Sequence, residues 1–595
     1  MTRALVAAML LVGACIEAPV QPDDRIECRA DADCNTGAGE VCDEGVCWGN
    51  PPATRYAAVL GPSAAFNSVA ATTEIASVVF EADGWFGDGA SGGLRLIEAM
   101  RVSGQVKAPC PAALEACSGY LVVPGTIKWI RPSDIPGLPE LTVTSTMSST
   151  GNGTGGGFEV HLPRPAAVTT YTVVFTPSTA PLGAGLPSAA NLLPPLRASV
   201  TVGPADAGGV VRDFMLSTSP RTISGRISQV GTTALGGWRV YAEAGDGTVQ
   251  GALVRASNIA ITNPDGDFTL ALADGPSLVD LVFVPTNVTG AGESEPPRVR
   301  LRDHVVTSPL PALVLPKLER IIAAPVTVDG IDGSGGVADV AGASVVARLD
   351  QLFGNVYLQH QATATTGASG LGSLQILLGT EPLPLHYELD VLPGPLSEMA
   401  SVYGVDLFVA DTVPTPAVRL PRGQPIVGAV LDEQGFGVPG ATVTASVSGP
   451  SLCALSSDDL RVARGLAPVQ ATTNANGEFA LFVDRDFAGT PLTYDIAVEP
   501  SAGTWAPAWT FLDTTPSPDH RALWLPEAAH VRARVFAPSS NLAPDTLVTL
   551  HELTDKPAPC PQVSYGTAGL SVRQAVGTSD PEGVVRLILP RTALQ

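Results

Sequence analysis

Two stretches of the chain read almost alike: "TNPDGDFTLAL" at 262–272 and "TNANGEFALFV" at 473–483. Each has Asn or Asp with Gly, then an acidic residue, then Phe, then alternating apolar positions. Two readings compete. Oxygen side chains at alternate positions suit calcium, but each turn offers two or three donors where six to eight are needed. Asn, Asp and Gly also favour a tight turn on their own account, and alternation after a turn is the mark of a strand. The rest of the chain decides between them. The first large apolar residue after a Gly turn recurs as Phe158, Phe268, Leu374, Phe479 and Val585, at intervals of 110, 106, 105 and 106. Such a period is the signature of a repeated structural unit. The third unit has Ser373 where the acidic residue stands, yet keeps the period. The turn is therefore architecture. Gly266 and Gly477 are expected to take the positive φ of the turn, and Phe268 and Phe479 to anchor a core.

Two further landmarks keep step. An apolar strand with a small residue at its middle occurs as "VSGQV" (102–106), "ISGRI" (223–227), "IAAPV" (322–326), "VGAV" (427–430) and "VRARV" (531–535). A closing strand occurs as "YTVVFTP" (171–177), "VDLVFVP" (279–285), "YELDVLP" (387–393) and "YDIAVEP" (494–500). The 62 Gly and 53 Pro punctuate short strands and leave little room for helix. The fold expected is all-β: a tandem array of about five antiparallel β-sandwiches of immunoglobulin or transthyretin type, behind a small disulfide-rich segment. The units are set at 100–217, 218–317, 318–421, 422–527 and 528–595. In the first four, the closing Pro follows the anchor by 17–21 residues; after Val585 only ten residues remain. The fifth unit thus reads as incomplete, truncated or degenerate rather than completed by a donated strand. Residues 48–99 read as linker and uncertain segment, with one strand expected at "IASVVFEA" (75–82).

The fourth unit carries a family resemblance. "IVGAVLDEQGFGVPGATVTA" (426–445), then "TTNANGEFALFV" (472–483) and "YDIAVEPS" (494–501), resembles the carboxypeptidase regulatory-like domain. The matching positions are Gly428, Asp432, Gly435, Val438, Pro439, Gly440, Ala441, Asn476, Gly477, Phe479 and Tyr494. The resemblance implies a seven-stranded transthyretin-like sandwich with an accessory role, and no catalytic residues. Unit two keeps the turn, and the others match mainly by period.

The N-terminus reads as an address. Arg3 is followed by an apolar run too short for a membrane span, and Val12-Gly13-Ala14-Cys15 resembles a bacterial lipobox. The resemblance implies a signal peptide at 1–14, lipidation of Cys15 and a tether at 15–27. Ile16, where an Asp would retain the protein at the inner membrane, points to the outer membrane or cell surface. Cys28, Cys34, Cys42 and Cys47 crowd into twenty residues that cannot bury a core, so two disulfides are expected; three pairings remain open. No CxxC pair or nearby His supports zinc instead. Cys110 and Cys117 bracket a short loop and are expected to pair. Cys453 and Cys560 are left to pair across domains or stay single.

Motifs that would carry chemistry lack their context. "GASGG" (89–93) fits a nucleophile elbow but follows a Gly-rich loop instead of a strand. "GNGTGG" (151–156) is followed by the strand "GFEVHLP" where a dinucleotide site needs a helix. The seven His are scattered. A net charge of −23 repels phosphate backbones, which excludes nucleic acid as a partner. No cofactor and no metal are expected. The reading is a non-enzymatic, exported, membrane-anchored protein that serves as structural stalk or adhesion array, with a surface polysaccharide or protein as possible partner. A carbohydrate- or protein-binding module of an envelope transport or adhesion system is the alternative, and an enzyme with an unrecognised site a third.

Overall fold

The computed structural model describes residues 27–591 apart from short internal stretches, the longest being 111–118, 148–155, 246–252, 289–295, 456–467 and 554–570. Strands dominate the described residues; the α-helices among them are single short pieces, Ala189–Leu192 and Gly449–Ala454. The architecture is all-β, in two-sheet sandwiches behind a disulfide-bonded N-terminal knot.

Each sandwich is built around one register pair. The small residue of the first strand lies opposite the core anchor: Gly104 with Phe158, Gly225 with Phe268, Ala324 with Leu374, Gly428 with Phe479, and Ala533 with Val585. The sizes are complementary. Glycine stands opposite each Phe, and alanine opposite Leu or Val. A Cβ on Gly428 would lie 3.3 Å from the Phe479 ring and 2.3 Å from the Arg521 carbonyl oxygen. That carbonyl belongs to the strand Ser517–Trp524, which runs parallel to Gln424–Leu431 and ends the unit. The same parallel return is made by Leu313–Leu315 on Arg221–Gln229 and by Ala417–Leu420 on Ile321–Ile331.

The second sheet has a fixed order. In unit four it runs Val469–Thr472, Thr442–Val447, Tyr494–Glu499, Trp509–Thr514. In unit five the order is Ser571–Thr578, Leu547–Leu553, Tyr56–Gly61, Thr73–Ile75. The closing strand of the fifth sandwich therefore comes from the N-terminal side of the chain. Ala58 pairs with Leu550 and Leu60 with Val548, and Leu94–Arg95 supplies the parallel return on Ala528–Phe536. One core joins Tyr56, Leu60, Leu94 and Leu96 with Val531, Val535, Val548 and Val585. This corrects two sequence expectations: 48–99 is not a linker, and the fifth unit is not short of its closing strand. The strand expected over 75–82 is also corrected. Thr73–Ile75 ends, and Val79–Phe80 pairs instead with Phe86–Gly87 in a small ribbon.

Units two and three are not separate bodies. Arg298–Val305 of one pairs antiparallel with Val356–Thr365 of the other, which fuses their sheets into one of nine strands over one continuous core. At that seam Arg300 reaches Glu243 (2.7 Å), Asp280 (2.9 Å) and Gln359 (3.0 Å).

The N-terminal knot is closed by Cys28–Cys42 and Cys34–Cys47. Its strand Val46–Trp48 docks on unit five, where Trp48 pairs parallel with His530.

Candidate functional site

The acidic turns were the first candidates, and the Asn oxygens that head them are occupied. Gly266 and Gly477 have φ of +78° and +77°. A Cβ there would lie 2.2 Å from the Ile227 carbonyl oxygen or 2.4 Å from that of Val430. Those first-strand residues donate back, Ile227 N–H to the Gly266 carbonyl and Val430 N–H to that of Gly477. Asn474 Oδ1 accepts from the N–H groups of Asn476 and Glu478, both at 2.9 Å, and its amide donates to Glu478 at 2.7 Å. Asn263 Oδ1 likewise accepts from the Asp267 N–H at 2.8 Å. Oxygens aimed at backbone N–H groups do not converge on a cation. Phe268 and Phe479 are buried behind the turns.

A second recurring group escaped the sequence reading. Thr473 Oγ1 accepts from Ala441 N–H at 2.8 Å and donates to the Val438 carbonyl at 2.6 Å. Thr262 and Thr366 do the same in units two and three, and Ser579 in unit five. Each hydroxyl ties its hairpin to the start of an earlier strand of the same unit with both its donor and its acceptor used. The signal was a Thr or Ser six to eight positions before each anchor, hidden because hydroxyls are common elsewhere in the chain.

The cysteines are likewise structural. Among the described residues, the one cluster of metal-ligating types, Cys28, Cys34 and Cys47, is the meeting of the two disulfides, and oxidised sulfur offers no thiolate. Cys110 and Cys453 are each disulfide-bonded too, so Cys453 does not stay single. Cys15, Cys117 and Cys560 lie outside the described residues, as do most of "GNGTGG" and part of "GASGG".

Several clefts open among the described residues, and two at seams between sandwiches have buried charged groups in their walls. One, of about 350 Å³, lies between units five and one and is lined by Asn67, Thr72, Arg131, Thr142, His161 and Tyr171. Its floor is spoken for: Arg131 pairs with Glu74 at 2.9 Å and with Asp134 at 2.8 Å. Glu74 also accepts from the Ser133 hydroxyl and the Asp134 N–H. A serine beside a carboxylate that is already saturated, with no base to receive its proton, is a loop clamp rather than a nucleophile. The other cleft, of about 290 Å³, lies between units three and four beside Met399, Ser401, Phe482, Asp484 and Tyr494. Asp484 accepts from Ser401 N–H at 2.7 Å and from the Tyr403 hydroxyl at 3.0 Å. Burial raises its pKa, and these two hydrogen bonds oppose the rise.

No family model matches the chain, and no curated protein matches it. Solved structures do. The Bacillus anthracis TIE protein is 11% identical over 68% of this chain and 70% of its own, with a TM-score of 0.16. A streptococcal ancillary pilin is 12% identical over 55% of this chain and 99% of its own, with a TM-score of 0.17. The full-length RrgB pilus protein of Streptococcus pneumoniae is 9% identical over 80% of this chain and 93% of its own, with a TM-score of 0.14. At such scores the likeness carries no argument, and the fold of this chain rests on its own strand pairing.

Proposed function

We propose that the protein is an exported, non-enzymatic surface lipoprotein whose sandwiches form a structural or adhesion scaffold, with unit four of the carboxypeptidase regulatory-like kind. The observation that carries this reading is what repeats. Every unit repeats a size-matched core pair, units two to five add a hydroxyl tie, and units two, four and five a turn whose side-chain oxygen caps a backbone N–H. Repetition has kept packing chemistry, and among the described residues no set of reacting groups recurs with it. Disulfides suit an oxidising compartment outside the cytoplasm, and acylation of Cys15 would hold the protein at the outer membrane or cell surface with its outer faces free for a polysaccharide or protein partner.

Metabolic labelling with a palmitate analogue tests the anchor. Label and detergent-phase partition are expected in the native protein and lost in Cys15→Ala; a Cys15→Ala protein that still partitions with membranes defeats the anchor. The binding-module alternative draws on the seam clefts. Tight binding on a glycan array, abolished by replacing one unit, would favour that alternative over the scaffold.

A further inference from the structure

We propose that the five sandwiches close into a ring, and that residues 56–96 are the clasp that closes it. The joints carry the argument. In each unit the parallel return strand leads into the first strand of the next. Phe214–Met215 leads into Arg221–Gln229, Leu313–Leu315 into Ile321–Ile331, Ala417–Leu420 into Gln424–Leu431, and Ser517–Trp524 into Ala528–Phe536. An open row of five ends there, with four joints. Here a fifth exists: Leu94–Arg95, the return strand of unit five, leads into Ile97–Gly104, the first strand of unit one, through Leu96 alone. A unit of about 100 residues is roughly 26 Å across. In a straight row the centres of units one and five would lie about 100 Å apart, whereas one residue spans at most about 4 Å. A rod is therefore incompatible with the strand pairing.

Polar contacts reinforce every joint. Asn258 donates to the Asn191 carbonyl at 2.9 Å between units two and one. The shared sheet joins two to three. Asp484 joins four to three. Ala528 N–H donates to Glu433 at 3.3 Å between five and four. Between five and one, Arg131 meets Glu74, and Ala70–Ala71 pairs with the start of Ile97–Gly104. These contacts follow the chain around and then cross from five back to one, which is the contact pattern of a ring.

The clasp also locks the tethered end. The knot that precedes it brings Glu40 to Arg591 and Asp43 to Arg532. The Arg532 guanidinium lies 5.0 Å from the Trp48 ring and 4.7 Å from the Trp85 ring. Every one of these partners on unit five lies beyond residue 527. Tyr56, Leu60, Leu94 and Leu96, each at most 1% exposed, stay open to solvent until that last segment has been exported. Closure is then the final step of folding, and it fixes the anchor-side knot in the same event.

The test uses the full chain. Small-angle scattering of the unaltered protein should give a maximum dimension well below the roughly 130 Å of a five-unit rod; a rod-like profile of that length overturns the ring. Val59 and Thr549 are register partners on the half-buried face. A Val59→Cys/Thr549→Cys variant should cross-link within one chain and run as a covalent circle on a non-reducing gel, while either single variant should not. Cross-linked dimers in place of circles would mean the strand is donated by a second copy and would overturn the intramolecular clasp. If the cross-link variant folds poorly, Val531→Asp provides the second reading: limited proteolysis should open 56–96, hundreds of residues away, while the 223–420 core resists. Continued protection of 56–96 would defeat the clasp.

Discussion

Glycine 428 owes its identity to what lies opposite and beside it. Its φ is not in the left-handed region, so conformational freedom is not the reason. The reasons are the Phe479 ring across the ladder and the Arg521 carbonyl alongside. Gly428→Ala should therefore cost about 1–3 kcal/mol by overpacking, read as a lower denaturation midpoint. Gly245→Ala should cost less than about 0.5 kcal/mol, because nothing lies within 4 Å of the added carbon. An equal loss at both positions would count against the size-matched pair. This pair was legible in halves. The periodic anchor and the periodic small residue each stood out in the sequence, because the anchor returns every 105–110 residues and the small residue every 99–121. Their partnership was not legible, since register is fixed by sheet pairing and leaves no mark in either strand alone.

At the scale of elements, the seams carry the titratable groups. Burial holds the folded pKa of Asp484 above its unfolded value. The folded state thus binds more protons between the two values, so this group's contribution to stability is full below the unfolded pKa and lost as pH rises through the folded one. Asp484→Asn should stabilise the protein relative to wild type increasingly from about pH 4 upward, over the window set by these two pKa values. Thermal melts across that range read the difference, and a flat difference would remove Asp484 from the account. At the seam of units two and three, Arg300 is 8% exposed between two carboxylates. Arg300→Met leaves Glu243 and Asp280 without their cation and should cost about 3–5 kcal/mol; a calorimetric trace within 1 kcal/mol of wild type would show the triad to be dispensable. The clasp strand was within reach of sequence reasoning. "YAAVLGP" at 56–62 has the same Tyr-to-Pro spacing as "YTVVFTP", "YELDVLP" and "YDIAVEP". It stands before the first unit, where an in-order search for the fifth does not look. The fused sheet had no comparable signal, because edge-to-edge pairing depends on how two units meet.

At the scale of the molecule, strand content, period and N-terminal disulfides were legible because they are local or repeated. The closure was not, because it is a single event between residues nearly five hundred positions apart, such as Leu60 and Val548. Linear repeat proteins face a difficulty at their two ends: the first and last repeats each have one flank without a neighbour, and specialised capping repeats must make that flank soluble. The pairing of Tyr56–Gly61 with Leu547–Leu553, and of Ala70–Ala71 with Ile97–Gly104, gives the first and fifth sandwiches a neighbour on each side. No unit here has to serve as a cap, so all five are free to diverge on their outer surfaces, and a unit added or lost would have to leave the circle still able to shut.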